Sequence, residues 1–282
     1  MKKLSKLAIA STLAMMSMQS MAATVLGGAT TAYVVAGPST LQGPDLAGIS
    51  MPSSAAGTPL PQSGIVSFAG GPIAQIKAAY NDPNHTGSYY YIKIGTTTFS
   101  QTWKAETANG TEIYAYRQIS DPQPNYPHFG GEVVAKVPGY EVYFGEWAPK
   151  GSNTGMGNDT NLNLDNDLHT AFYVGENPTT SMPTLVNATY DVVGVSQYNP
   201  GTQDDVYTGI LTANYGGGSN TLTGNIDYVS FANTTISADG SFANLDGSIK
   251  GHFYGDAAEA LAGYYKDDLV PSDSMAFGGA RQ

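Results

Sequence analysis

The sequence predicts an all-β protein in which a β-rich N-terminal domain precedes a C-terminal eight-stranded antiparallel β-barrel. Three observations predict it. Short stretches of period-two alternation, cut by Gly, Asn and Asp, recur through the second half at roughly ten- to fifteen-residue spacing, the pattern of a small closed barrel. The chain of 282 residues holds 34 glycines and 19 tyrosines but no cysteine, so burial must hold the fold without disulfides. Charge also steps along the chain: residues 23 to 150 carry six basic and eight acidic residues, whereas 151 to 282 carry three against fifteen, which reads as two domains.

Residues 1–22 read as a signal peptide. Lys2, Lys3 and Lys6 precede an apolar run from Leu7 to Met16, and Ser20-Met21-Ala22 offers a small-x-small cleavage site. No cysteine follows that site, so the expected product is a secreted chain reaching the medium through the periplasm rather than a lipoprotein. It keeps nine basic against 23 acidic residues, a net charge of −14, which opposes a phosphate-backbone partner and excludes nucleic acid. No later run of about 20 apolar residues is present to form a transmembrane helix.

Residues 23–150 are expected to form the ligand-binding domain. Its first forty residues are rich in Gly, Ala, Ser, Thr and Pro with weak strand periodicity, whereas aromatic residues concentrate between 89 and 147. In a strand, Tyr89 and Tyr91 share one face and Tyr90 takes the other. Residues 151–167 read as a flexible linker. Their Asp/Asn run has oxygen donors at alternate positions, but Leu164 stands where a calcium loop needs Gly and Thr170 where it needs a bidentate Glu. Residues 168–282 are expected to be the barrel, with strands over 169–174, 188–195, 207–214, 221–229, 240–243, 248–254, 261–265 and 275–281 and a single helical turn over 256–260.

Several segments carry a family resemblance. Gly251-His252-Phe253-Tyr254-Gly255, followed by Ala257-Ala258-Glu259 and Gly263, resembles the Gly-x-Phe-Tyr-Gly, Ala-x-Glu, Gly-Gly signature of Neisserial-type surface proteins such as transferrin-binding protein B and factor H-binding protein. Met275–Arg281 is similar to the closing strand of their C-terminal barrel, Ala171–Gly175 to the opening one, and Val142–Trp147 to the strand that ends the N-terminal domain. Position 264 departs from the pattern, with Tyr264 in place of a second Gly. Without a lipobox cysteine the chain resembles the secreted branch, the hemophilins. That resemblance implies an N-terminal clamp domain that binds heme b non-covalently, a barrel read by a Slam-type translocon, capture of heme with hemoglobin as a source, and delivery to a TonB-dependent outer-membrane receptor.

A protein heme site needs an aromatic-lined slot and an axial ligand, here His, Met or Tyr. His85 and His128 are the two histidines outside the barrel half, both on Pro-containing loops beside aromatic residues, and each also reads as an ordinary surface histidine. They are the expected iron ligands, alone or together, with Tyr90, Tyr126 and Phe129 as ring contacts. His169 and His252 read as structural. Lys93, Lys104 and Arg117 are candidates for the propionates or for solvated strand faces. Met156 and Met182 read as packing residues. No nucleophile, zincin or P-loop motif is present, so an enzyme is not expected. The competing expectation is a secreted colonisation or adhesion factor that binds a host protein.

Overall fold

The computed structural model describes residues 24–52, 64–83, 85–120, 128–152, 155–157 and 159–282. The predicted leader, residues 1–22, lies outside them. Among the described residues the all-β expectation holds: a first domain built on a seven-stranded sheet is joined to a closed barrel.

The first domain runs through β1 (Val25–Ala29), β2 (Val35–Pro38), β3 (Ala47–Ser50), β4 (Val66–Ser67), α1 (Pro72–Tyr80), β5 (Tyr90–Ile94), β6 (Thr97–Glu106), β7 (Glu112–Gln118), β8 (Gly131–Lys136), β9 (Val142–Ala148) and β10 (Thr170–Glu176). The large sheet has the antiparallel order β1-β10-β9-β8-β7-β6-β5, while β2, β3 and β4 pair as a small second sheet. α1 has Pro at its start, where the missing N–H costs nothing, and buries Ile73, Ile76 and Ala79, spaced three apart along one side. It is a helix that the sequence pattern did not mark.

The sheet buries both faces. Tyr114, Tyr116, Val134, Tyr143, Trp147 and Phe172 point to the α1 side and pack with Ile49, Phe68, Ile73 and Ile76. Trp103, Ala115, Val133, Phe144 and Ala171 point to the other side, against the barrel.

The barrel comprises β11 (Leu185–Asn199), β12 (Asp204–Tyr215), β13 (Thr221–Ile226), the short β14 (Val229–Ser230), β15 (Thr234–Ile236), β16 (Ser241–Asn244), β17 (Ile249–Tyr254), β18 (Ala260–Tyr265) and β19 (Met275–Arg281). Neighbours pair in order, β11 pairs with both β12 and β19, and β14 caps β13, so eight strands close on themselves and leave no open edge. Its interior is filled by Tyr190, Leu211, Phe231, Phe242, Phe253 and Phe277 among others. The outer face of β17 to β19 presents Tyr254, Ala260, Ala262, Tyr264 and Ala276 to the first sheet. The approach is close: a Cβ on Gly278 would stand 2.5 Å from the Phe144 ring.

Two expectations are corrected. The strand expected to open the barrel, over 169–174, lies instead between β1 and β9 as β10, with Thr170 opposite Trp147 and Ala29 opposite Phe172. Both of its faces are buried, so its alternation of Ala, Phe, Tyr and Gly mimics a barrel strand while serving the first sheet. The expected flexible linker is pinned as a strap. Leu162 and Leu164 are buried in the seam core. Asp159 binds the Arg117 guanidinium at 2.6 Å, and the Gly157 N–H donates to the Tyr91 hydroxyl at 2.7 Å. The Asp159 and Asn161 side chains each accept the N–H two residues on, so the polar run makes Asx turns with its own backbone.

Candidate functional site

The α1 side of the large sheet carries a cross-strand row in which Tyr90, Thr102, Tyr116, Glu132 and Trp147 lie opposite one another on β5 to β9. At about 4.8 Å per strand the row spans roughly 19 Å. His85 sits at its β5 end, on the loop between α1 and β5. Its ring lies 4.6 Å from the Tyr80 ring and 5.8 Å from the Tyr90 ring, centroid to centroid. The Tyr80 hydroxyl reaches the carbonyls of Ser88 at 3.0 Å and Thr102 at 3.2 Å, which ties the helix end and the loop to β6. Burial pushes that phenol up to about 12. The His85 Nε2 is buried and has no hydrogen-bond partner, an imidazole nitrogen left with unused donor or acceptor capacity inside an aromatic cluster.

His128 belongs to the β9 end. Its N–H donates to the Pro52 carbonyl at 3.2 Å, and its own carbonyl accepts a long bond, 3.4 Å, from the Trp147 indole. Trp147 stacks on Tyr33 at 6.3 Å. The next residue, Phe129, turns its ring over β6 and β7, 5.1 Å from Tyr116 and 6.2 Å from Phe99. The structure therefore brings His85 together with Tyr90, and His128 with Phe129, in two aromatic clusters at the ends of one row. Among the described residues the two histidines belong to separate ring clusters. Tyr126 lies outside the described residues.

Between the clusters stands Glu132, 3 % exposed, with its Oε2 unpartnered. Burial pushes its carboxyl up to about 8, so the group is mostly uncharged at neutral pH. Sequence reasoning missed Glu132, Trp147 and Tyr80 as neighbours of the site. For Glu132 the only signal was a lone carboxylate directly before the apolar run Val133-Val134-Ala135.

The expected propionate partners are not available as a set. Arg117 points to the barrel side, opposite to Tyr90, and its charge is met by Asp159. Lys104 bridges Glu112 at 3.0 Å, which also holds Lys77 of α1 at 2.9 Å. Lys93 is exposed.

No protein-family model matches the chain. The fold is similar to several solved structures. HpuA from Kingella denitrificans in complex with human haemoglobin aligns over 70% of this chain and 91% of that one, at 14% identity and a TM-score of 0.32. A structure described as a surface lipoprotein aligns over 69% and 97%, at 13% identity and a TM-score of 0.35. Transferrin Binding Protein B from Actinobacillus pleuropneumoniae H49, in a mutant form, aligns over 69% and 97%, at 13% identity and a TM-score of 0.32.

The two remaining histidines are held by the framework. His169, fully buried, has Nε2 2.7 Å from the Glu146 carboxylate and Nδ1 3.0 Å from the Pro271 carbonyl. Glu146 also accepts the N–H groups of Gln197 and Tyr198, at 2.7 and 2.8 Å, so this pair ties β9 and β10 to β11 of the barrel. His252 faces the Thr179 carbonyl at 3.0 Å.

Proposed function

We propose that the protein is a secreted heme-binding protein that captures heme, with hemoglobin as a source, for delivery to a TonB-dependent outer-membrane receptor after export through a Slam-type translocon. The observation that carries the reading is the buried, unpartnered His85 Nε2 between Tyr80 and Tyr90. An imidazole nitrogen without a protein partner has a lone pair to offer a metal when it carries no proton, and flanking rings suit a flat macrocycle. Heme iron would supply the Lewis acid at that nitrogen. His128 is the second candidate donor, and a six-coordinate complex using both residues requires the two ends of the aromatic row to close on one another.

Titrating the purified chain with hemin tests this. A stoichiometric Soret band is expected, with His85→Ala shifting the band and weakening binding at least tenfold, and His128→Ala acting by less. A wild-type spectrum and affinity in the double variant would remove both histidines as ligands. Absence of any stoichiometric band would remove the heme reading itself.

A second reading, a secreted colonisation factor that binds a host protein, is favoured by a different observation. Leu245, Leu269, Val270 and Tyr228 are exposed on turns at one end of the barrel. The Tyr228 hydroxyl donates to the Asp273 carbonyl there, at 3.0 Å. Exposed apolar tips grouped in this way suit a protein partner.

A further inference from the structure

The seam between the first sheet and the barrel holds a cavity of about 330 Å³ on the face of the sheet opposite to His85. Tyr89 and Trp103 form one wall, with rings 6.5 Å apart and edge to face. Tyr198 and Gln203, from the hairpin of β11 and β12, form the other, with Thr160 of the strap and Lys104 at the margins. A second cavity of about 270 Å³ adjoins it, sharing Thr160 and Tyr198 and adding Asn161, Leu162, Leu164, Asp165, Gln197 and Asn199. The two together make a groove with an aromatic end and a mostly polar wall, in which amides and hydroxyls stand with the Asp165 carboxylate beside Leu162 and Leu164, and the Gln197 amide donates to Asp273 at 2.9 Å.

The chemistry of that lining selects its guest. An apolar ligand would strip water from amides and hydroxyls without replacing their hydrogen bonds. A phosphate or carboxylate ligand would need a free cation, and Lys104 already bridges Glu112 at 3.0 Å. A neutral saccharide fits both parts. Its C–H faces pack on rings such as the half-exposed Tyr89, and its hydroxyls act as donors and acceptors, as the amide and hydroxyl side chains do. A groove at the junction of two domains is also where small ligands most often bind. We infer that the groove between Tyr89 and Gln203 is a binding site for a neutral saccharide of one or two rings.

The test is saturation-transfer NMR on the chain from residue 23 onward, with lactose, N-acetyllactosamine, chitobiose and maltose as probes. At least one is expected to receive saturation on its ring protons. Tyr89→Leu, which removes the ring but keeps apolar bulk, and Gln203→Gly, which suits the positive φ of that turn residue, should each weaken binding roughly tenfold. Thr160→Val, which keeps side-chain volume, supplies a third variant should either of the others fail to fold. Hemin titrations of these variants should match wild type, because the groove lies on the other face from the His85 cluster. Silence from all four probes, or wild-type transfer in every folded variant, would overturn the assignment.

Discussion

Two carboxylates one strand apart show how a single position sets the chemistry of its side chain. Glu132 and Glu146 are both almost fully buried, yet Glu146 accepts bonds from an imidazole and two backbone N–H groups while the Glu132 Oε2 has no partner. For Glu132 the sign of the pH dependence follows. Its folded carboxyl titrates near 8, above its unfolded value, so the native state binds the extra proton and stability falls as pH rises between about 4.5 and 8. The slope from this one group approaches at most ~1.4 kcal/mol per pH unit. Urea unfolding at pH 5 and pH 8 should show Glu132→Gln flattening the loss, and an unchanged pH dependence would show that the carboxyl is ionised in the fold. At Glu146 the expectation concerns the partners that the carboxylate holds. Glu146→Ala strands the His169 imidazole and two N–H groups in a dry seam and should cost about 3–5 kcal/mol, read from the same unfolding curves.

At the scale of elements, most of the barrel was legible because its strands have one wet and one dry face, and period-two alternation records that directly. Strands with two dry faces were harder to read. β10 carries aromatic and small residues on both sides, so its sequence matched a barrel strand while its pairing belongs to the first sheet. Glu132 and Glu146 were hidden for the same reason, since a polar residue in an alternating strand reads as solvent-facing when both faces are in fact covered. α1 was missed because only Ile73, Ile76 and Ala79 mark its buried side. Of the candidate site residues, His85 and Tyr90 lie together because they are close in the chain, while the distance between His85 and His128 depends on four strand spacings that no local pattern encodes. The strap makes its own prediction. Leu162→Ala should destabilise the protein by about 2–5 kcal/mol, although the residue lies in a polar run that looks dispensable. A thermal or urea midpoint unchanged from wild type would return residues 159–164 to the status of a loose connection.

At the scale of the whole molecule, the boundary between the parts falls after β10 rather than before it. Residues 177–282 contain every barrel strand, whereas 168–282 adds β10 without either of its neighbours. The shorter fragment should therefore unfold cooperatively with a β-type circular dichroism spectrum, and the longer one should be no more stable, with 168–176 unprotected in hydrogen exchange. A disordered spectrum for 177–282 would mean that the barrel depends on the first sheet covering Tyr254, Tyr264 and Ala276. The fragment should also be less soluble than the full chain, because that outer face is apolar.

The pairing of β1 with β10 sets Val25 opposite Glu176, although nearly all of the first domain lies between them in the chain. The first strand to emerge during synthesis thus has no sheet neighbour until β10 has been made. Closing so long a loop is entropically slow, and contacts of high sequence separation delay the rate-limiting step of folding. Residues 24–29 should be among the last to gain amide protection in a refolding pulse-labelling experiment. A chain whose opening segment stays unpaired so late remains threadable for longer, which is the property that the export step proposed above would call on.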